Sequence, residues 1–106
     1  MSGESELDIR VRDHARKVAA GDMRASEDLA PGAQVEPADL LDRLLRAGFR
    51  AFEVVAHARV GAHHLLKTKY LGPPTMVIQT RWVQGTSGHW EIHEAELLRV
   101  VEERGG

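Results

Sequence analysis

The chain has no cysteine, which removes disulfides, thiolate zinc sites and cysteine nucleophiles from consideration together. It also has no excess of positive charge: 14 Lys and Arg stand against 16 Asp and Glu, a formal net charge of −2. Nucleic-acid binding calls for a broad basic stripe, and Lys67 with Lys69 forms only a small basic cluster on a predicted strand. No stretch approaches the roughly 18 apolar residues of a membrane span, and Met1 to Glu6 shows no basic region followed by an apolar run. The chain contains no internal repeat, no low-complexity segment, no glycine-rich phosphate loop and no Gly-x-Ser-x-Gly elbow, so nothing calls for a cofactor. These absences predict a cytoplasmic protein with neither nucleic-acid nor membrane partners. At 106 residues it makes one domain with one core.

The most informative stretch runs from Pro74 to Val101. Two strands, Thr75 to Val83 and His89 to Val100, are predicted to form a hairpin across Gln84-Gly85-Thr86-Ser87-Gly88, whose glycines supply positive φ angles. A lone hairpin is marginal, so it needs further strands and a cover for its apolar face. Upstream, Leu7, Val11, His14 and Val18 recur at helical spacing with Ala15 and Ala19 beside them, giving an amphipathic helix that Ser5 would cap and Gly21 would stop. Asp22 then caps a short helix, Met23 to Leu29, and Ala30-Pro31-Gly32 turns the chain. Glu36-Pro37 opens a third helix carrying Leu40, Leu41, Leu44 and Leu45, and Gly48 ends it. Beyond Gly48 the period becomes alternating: Phe52, Val54, Ala56, Ala58 and Val60 share one face of a strand, and His63 to Leu71 forms the next. The expected organisation is a tail at 1–5, helices over 6–47 and an antiparallel four-stranded meander over 49–101, an α+β fold with helices on one sheet face.

Two short motifs in this order resemble the NTF2-like superfamily of SnoaL-like, cystatin-like α+β cones. One is Val18-Ala19-Ala20-Gly21-Asp22 followed by Leu29-Ala30-Pro31-Gly32-Ala33; the other is Arg81-Trp82 with Gly88-His89-Trp90-Glu91-Ile92. The resemblance implies a curved sheet wrapped around the first helix, a pocket at the open end for a small apolar or carbonyl-containing molecule, and a homodimer formed through the sheet. Curvature usually takes bulges or glycines, and Gly61 and Gly72 are the candidates. Members commonly carry a pair of short strands between the second and third helices, for which Ala33 to Glu36 leaves almost no room.

The resemblance also points to chemistry at His14, which lies on the buried stripe eight residues before Asp22. Ketosteroid isomerase members place a catalytic tyrosine at a similar spacing, and imidazole serves there as donor, acceptor or base. The plainer reading of His14 is a core histidine bonded to a backbone carbonyl, or one at a wet edge of the stripe. Glu36 is the nearest substitute for the aspartate base expected before the proline, and also reads as a carboxylate at a helix N-terminus. Gln79, Thr80 and Arg81 stand where an oxyanion-hole acid is expected, which disfavours steroid-isomerase chemistry. His57, Tyr70, Arg81 and His93 are the remaining polar strand residues that would line a pocket, subject to register. The six histidines do not make a metal site: His89 and His93 are too far apart on an extended strand, and His63 and His64 point to opposite faces. Trp82 and Trp90 read as core or interface aromatics. Two functions follow as alternatives: a small-molecule binding protein with acid/base chemistry of isomerase, dehydratase or cyclase type, or a non-catalytic association module whose cone is filled by its own side chains.

Overall fold

The computed structural model describes residues 3–102, with side chains from Glu6 onward. Its elements are α1 (Gly3–Ala20), a 3-10 helix (Met23–Asp28), β1 (Leu29–Glu36), α2 (Leu40–Ala47), β2 (Ala51–Val60), β3 (His63–Leu71), β4 (Thr75–Gln84) and β5 (Trp90–Val101). The strands form one sheet in the order β1-β5-β4-β3-β2. β1 runs parallel to β5 and the other neighbours are antiparallel. The sheet therefore has five strands and is mixed, where the sequence led to a four-stranded meander.

The extra strand arises where a turn was expected. Pro31 and Gly32 lie within β1, in the interval between Leu29 and Gln34 where the pairing with β5 shifts register. A proline there sacrifices no ladder bond, and an edge strand is where it is tolerated. The first part of the predicted tail, residues 1 and 2, lies outside the described residues; from Gly3 the backbone is helical, so Ser5 falls inside α1 and does not cap it.

Gly21 closes α1 as expected, with φ at 71°. Its N–H bonds the Val18 carbonyl at 3.1 Å and the Asp22 N–H bonds that of Lys17 at 2.8 Å. These two bonds satisfy carbonyls the helix end leaves open. The Asp22 side chain then accepts from the Arg24 N–H at 2.9 Å and caps the 3-10 helix. The third predicted helix is shorter than Pro37 implied, starting at Leu40 after a turn in which the Leu40 N–H bonds the Pro37 carbonyl at 2.9 Å.

α1 lays Leu7, Val11, Ala15 and Val18 on the sheet, α2 adds Leu40 and Leu44, and the sheet answers with Leu66, Tyr70, Ile78, Trp82 and Ile92. Trp82 is fully buried and Trp90 nearly so, so both belong to the core. Bulges, which bend a strand, interrupt the ladder between Val54 and Ala56, Val77 and Ile78, and Arg81 and Trp82. None coincides with Gly61 or Gly72, which lie in connections. The bulge at Val55 has a local consequence: it shifts the strand's alternation by one, so that His57, opposite Leu66, faces inward with Phe52 and Val54 instead of outward. No helix among the described residues is long and apolar enough to cross a membrane.

Gly21 joins two of these elements, because a Cβ built there would sit 2.9 Å from the Leu45 carbonyl oxygen of α2. Gly21→Ala therefore adds a steric conflict to the roughly 1–2 kcal/mol cost of a left-handed L-residue. Gly32, also at positive φ (76°), has nothing within 4 Å and carries only the backbone cost. Thermal denaturation of both variants should show the larger loss for Gly21→Ala; equal losses would contradict a close α1–α2 contact there.

Candidate active site

Arg10, His14 and Lys17 follow one another at helical steps of four and three, so α1 presents all three on one side. That side meets Asp28, the last residue of the 3-10 helix. His14 Nδ1 lies 2.8 Å from Asp28 Oδ2, Arg10 Nη2 donates to Oδ1 at 2.9 Å, and Lys17 Nζ reaches Oδ2 at 3.3 Å. The carboxylate is 3 % exposed and fully engaged.

Burial pushes the Asp28 pKa up. The hydrogen bond from His14 and the charges of His14, Lys17 and Arg10 outweigh it and hold the group below the ordinary carboxylate range. An ionised Asp28 accepts only, so His14 must carry its proton on Nδ1. In the neutral ring this leaves the lone pair on Nε2. Nε2 makes no hydrogen bond among the described residues. The ring is held edge-on to Trp82, centroids 5.8 Å apart at 82°, and the Trp82 indole N–H donates to Thr80 Oγ1 at 2.9 Å.

His14 lines a cavity between α1, α2 and the sheet, walled mainly by Val11, Leu40, Leu41, Leu44, Ile78 and Ile92, with Thr68, Thr80 and Tyr70 as its other polar members. Its volume is about 20 Å³, room for about one water. Tyr70 is 3 % exposed and packs on Phe49 with centroids 5.2 Å apart. Its hydroxyl has no hydrogen-bond partner among the described residues. Burial pushes the phenol above its ordinary pKa, so it remains a neutral donor. No Lys or Arg among the described residues lines this cavity.

Of the residues picked from sequence, His14 and Tyr70 share the cavity wall and the others lie elsewhere. His57 bonds His64 at 2.8 Å, and the His64 ring stands edge-on to Trp90 with centroids 5.3 Å apart. The His57 and His64 ring centres are 5.0 Å apart, about two ring radii more than the N···N distance, so the nitrogens point at each other and do not converge on a third atom. Arg81 faces the opposite side of the sheet, donates to His63 Nδ1 at 3.1 Å and approaches Glu94 at 3.8 Å. His93 is the unpaired residue of the β5 bulge, and Glu36 is exposed at the end of β1 beside Glu96. Among the described residues no three His, Cys, Asp or Glu side chains gather as a metal site. Asp28 escaped the sequence reading because it ends a short helix. The available signal was a carboxylate fourteen residues after His14, facing a helix side made of Arg10, His14 and Lys17.

This architecture is the NTF2-like α+β fold. It superimposes on an NTF2-like protein of unknown function from Silicibacter pomeroyi with a TM-score of 0.68 at 12 % identity, over 94 % of this chain and 99 % of that one. It also matches the epoxide hydrolase/cyclase-like enzyme SalBIII, described in pyran ring formation of the polyether salinomycin, with a TM-score of 0.61 at 15 % identity, over 92 % and 93 % of the two chains. No protein-family model and no curated protein matches the sequence.

Because the folded-state pKa of Asp28 is depressed, its stabilisation is fully present above its unfolded value, near 3.9. It is lost as the pH falls through the lower folded value. Asp28→Asn should cost about 2 kcal/mol at neutral pH, discounting a full buried-pair loss because Arg10 and Lys17 can rehydrate. The gap to wild type in urea titrations should narrow below about pH 4. A gap that stays constant down to pH 2 would show that the charge of Asp28 is not what stabilises the fold.

Proposed function

We propose that the chain binds a small, neutral, largely apolar molecule bearing a carbonyl or hydroxyl oxygen under α1, and that His14 exchanges a proton with it. One observation carries this reading: His14 lines an apolar cavity, its imidazole is fixed through Nδ1 by a buried carboxylate, and its Nε2 makes no hydrogen bond among the described residues. In this arrangement Nε2 accepts a proton from the bound molecule, and Asp28 orients the ring and stabilises the imidazolium that results. The unpartnered Tyr70 hydroxyl supplies a hydrogen bond to the molecule's oxygen. Arg10 and Lys17 are committed to Asp28, so the cavity has no counter-ion for an anionic substrate. Isomerisation, dehydration and cyclisation fit these groups, since each moves protons without a net oxidant or reductant. The shared fold of SalBIII, an epoxide hydrolase/cyclase-like enzyme, is compatible with such chemistry. Glu36 has no part in the proposal, because it lies exposed at the end of β1.

A cavity of about 20 Å³ admits such a molecule only if something yields. Leu40, Leu41 and Leu44, the leucines of α2 that line the cavity, are the natural candidates, since the ion pair of Arg46 with Asp42 at 3.2 Å is internal to that helix. The same small volume is the observation that favours the second reading, a cone filled by its own side chains with an association role.

Exchange of the α-protons of cyclohexanone in D₂O, followed by NMR, separates the two. The acid/base reading expects acceleration by the wild type and a loss of roughly 10²-fold or more in His14→Ala, with a smaller loss in Tyr70→Phe. No acceleration, together with no shifts at the His14 and Tyr70 signals, would favour the filled cone.

A further inference from the structure

The sheet face turned away from α1 carries a second concavity, much larger than the one under the helices. Val77 alternates with the inward Met76 and Ile78, so it points to the outer face, yet it is only 7 % exposed. Its cover comes from neighbouring strands. Lys69 is its partner on β3 and Arg99 its partner on β5, which places the two cations on either side, about 10 Å apart across two strand spacings. Lys67 stands two residues from Lys69 on the same face of β3.

Two bulges complete the groove. Val55 on β2 and Leu98 on β5 are each the extra residue where the ladder shifts. Each is pushed out onto this face, 48 % and 41 % exposed. Bulges re-aim side chains, and here two independent ones aim apolar groups at the same place. Val55, Lys67, Lys69, Val77, Leu98 and Arg99 together line a depression of about 460 Å³. Lys67, Lys69 and Arg99 make no side-chain ion pair among the described residues, whereas Arg10, Arg12, Lys17, Arg24, Arg46 and Arg81 all do. Glu53, opposite Lys69 on β2, is the carboxylate next to this group in register, but it is not part of the groove lining, which is three cations around an apolar floor.

We infer that this groove is a binding site for a single amphiphilic anion, with a carboxylate or phosphate head between Lys69 and Arg99 and a hydrocarbon body along Val77, Val55 and Leu98. The aliphatic stems of the lysines would extend the apolar wall while their ammonium groups meet the head. An arginine and a lysine facing each other favour a compact anion over a neutral lipid. The site is independent of the His14 cavity, which opens on the other face and offers no cation.

The test is an amide NMR titration of the full chain with octanoate, repeated with 1-octanol, with added salt, and with phosphatidylglycerol vesicles. Octanoate should shift Lys69, Val77, Leu98 and Arg99 and leave His14 and Tyr70 unmoved. Salt should weaken binding, and 1-octanol should bind at least roughly tenfold more weakly. Lys69→Glu and Arg99→Glu should each weaken octanoate by roughly tenfold or more while keeping the wild-type melting temperature within a few degrees. Shifts centred on His14, equal binding of 1-octanol, or variants that bind as well as wild type would overturn the assignment. So would binding to vesicles without any response to monomeric octanoate, which would point to a membrane headgroup. Sedimentation of the wild type as a dimer in which Val77 is protected and octanoate has no effect would assign the face to a second copy of the chain and overturn it equally.

Discussion

The structure turns on one buried carboxylate. Asp28 gathers Arg10, His14 and Lys17 from a single side of α1, and so fixes the rotation of that helix over the sheet as well as its position. Hydrophobic contacts along Leu7, Val11 and Val18 set how closely α1 packs, but they are poorly directional. A charge-assisted bond at 2.8 Å is directional, and it fixes which ring nitrogen of His14 is turned to Asp28. The same interaction thus orders the fold and determines the chemistry available at Nε2.

That dual role explains why a buried ionic cluster is kept where apolar residues would pack at less cost. Isolated buried ion pairs are weak sources of stability, since desolvation consumes most of the attraction. Here the cost is moderated because Arg10 and Lys17 keep partial contact with water, at 39 % and 20 % exposure, while the carboxylate does not. The outcome is an imidazole whose tautomer is imposed from outside the cavity, set among leucines and isoleucines with the hydroxyls of Thr68, Tyr70 and Thr80 as the other polar groups of the lining. The opposite face of the sheet is organised by another rule. There bulges, not helices, decide which side chains stand out, and Lys67, Lys69 and Arg99 make no ion pair among the described residues.

Much of this was legible in the residues. The 3.6-residue period from Leu7 to Val18 and the glycine stops at Gly21 and Gly48 follow from local stereochemistry, and so does the β3 strand at His63–Leu71. They appear where periodicity put them. β1 was hidden because its pairing is parallel and long-range: Pro31 and Gly32 read as a turn locally, and only the presence of β5 makes a strand of them. The site divided along the same line. His14 stood out because it interrupts an apolar stripe, and Tyr70 because it is polar on a strand. Asp28 did not, since its significance depends on where a short 3-10 helix deposits it. Bulges at Val55, His93 and Leu98 leave no mark in composition, so the facing of His57 and Arg99 could not be read from alternation.

The central claim is that an ionised Asp28 imposes the Nδ1–H tautomer on His14. Nitrogen-15 NMR of the histidine rings, with His14 in its neutral form and assigned through a His14→Gln control, measures this directly. The account predicts a proton-bearing Nδ1 and a pyridine-like Nε2, with the Nδ1–H signal lost in Asp28→Asn. A neutral His14 protonated on Nε2 would contradict it, because Nδ1 would then be an acceptor facing a carboxylate and the proposed base would have no free lone pair.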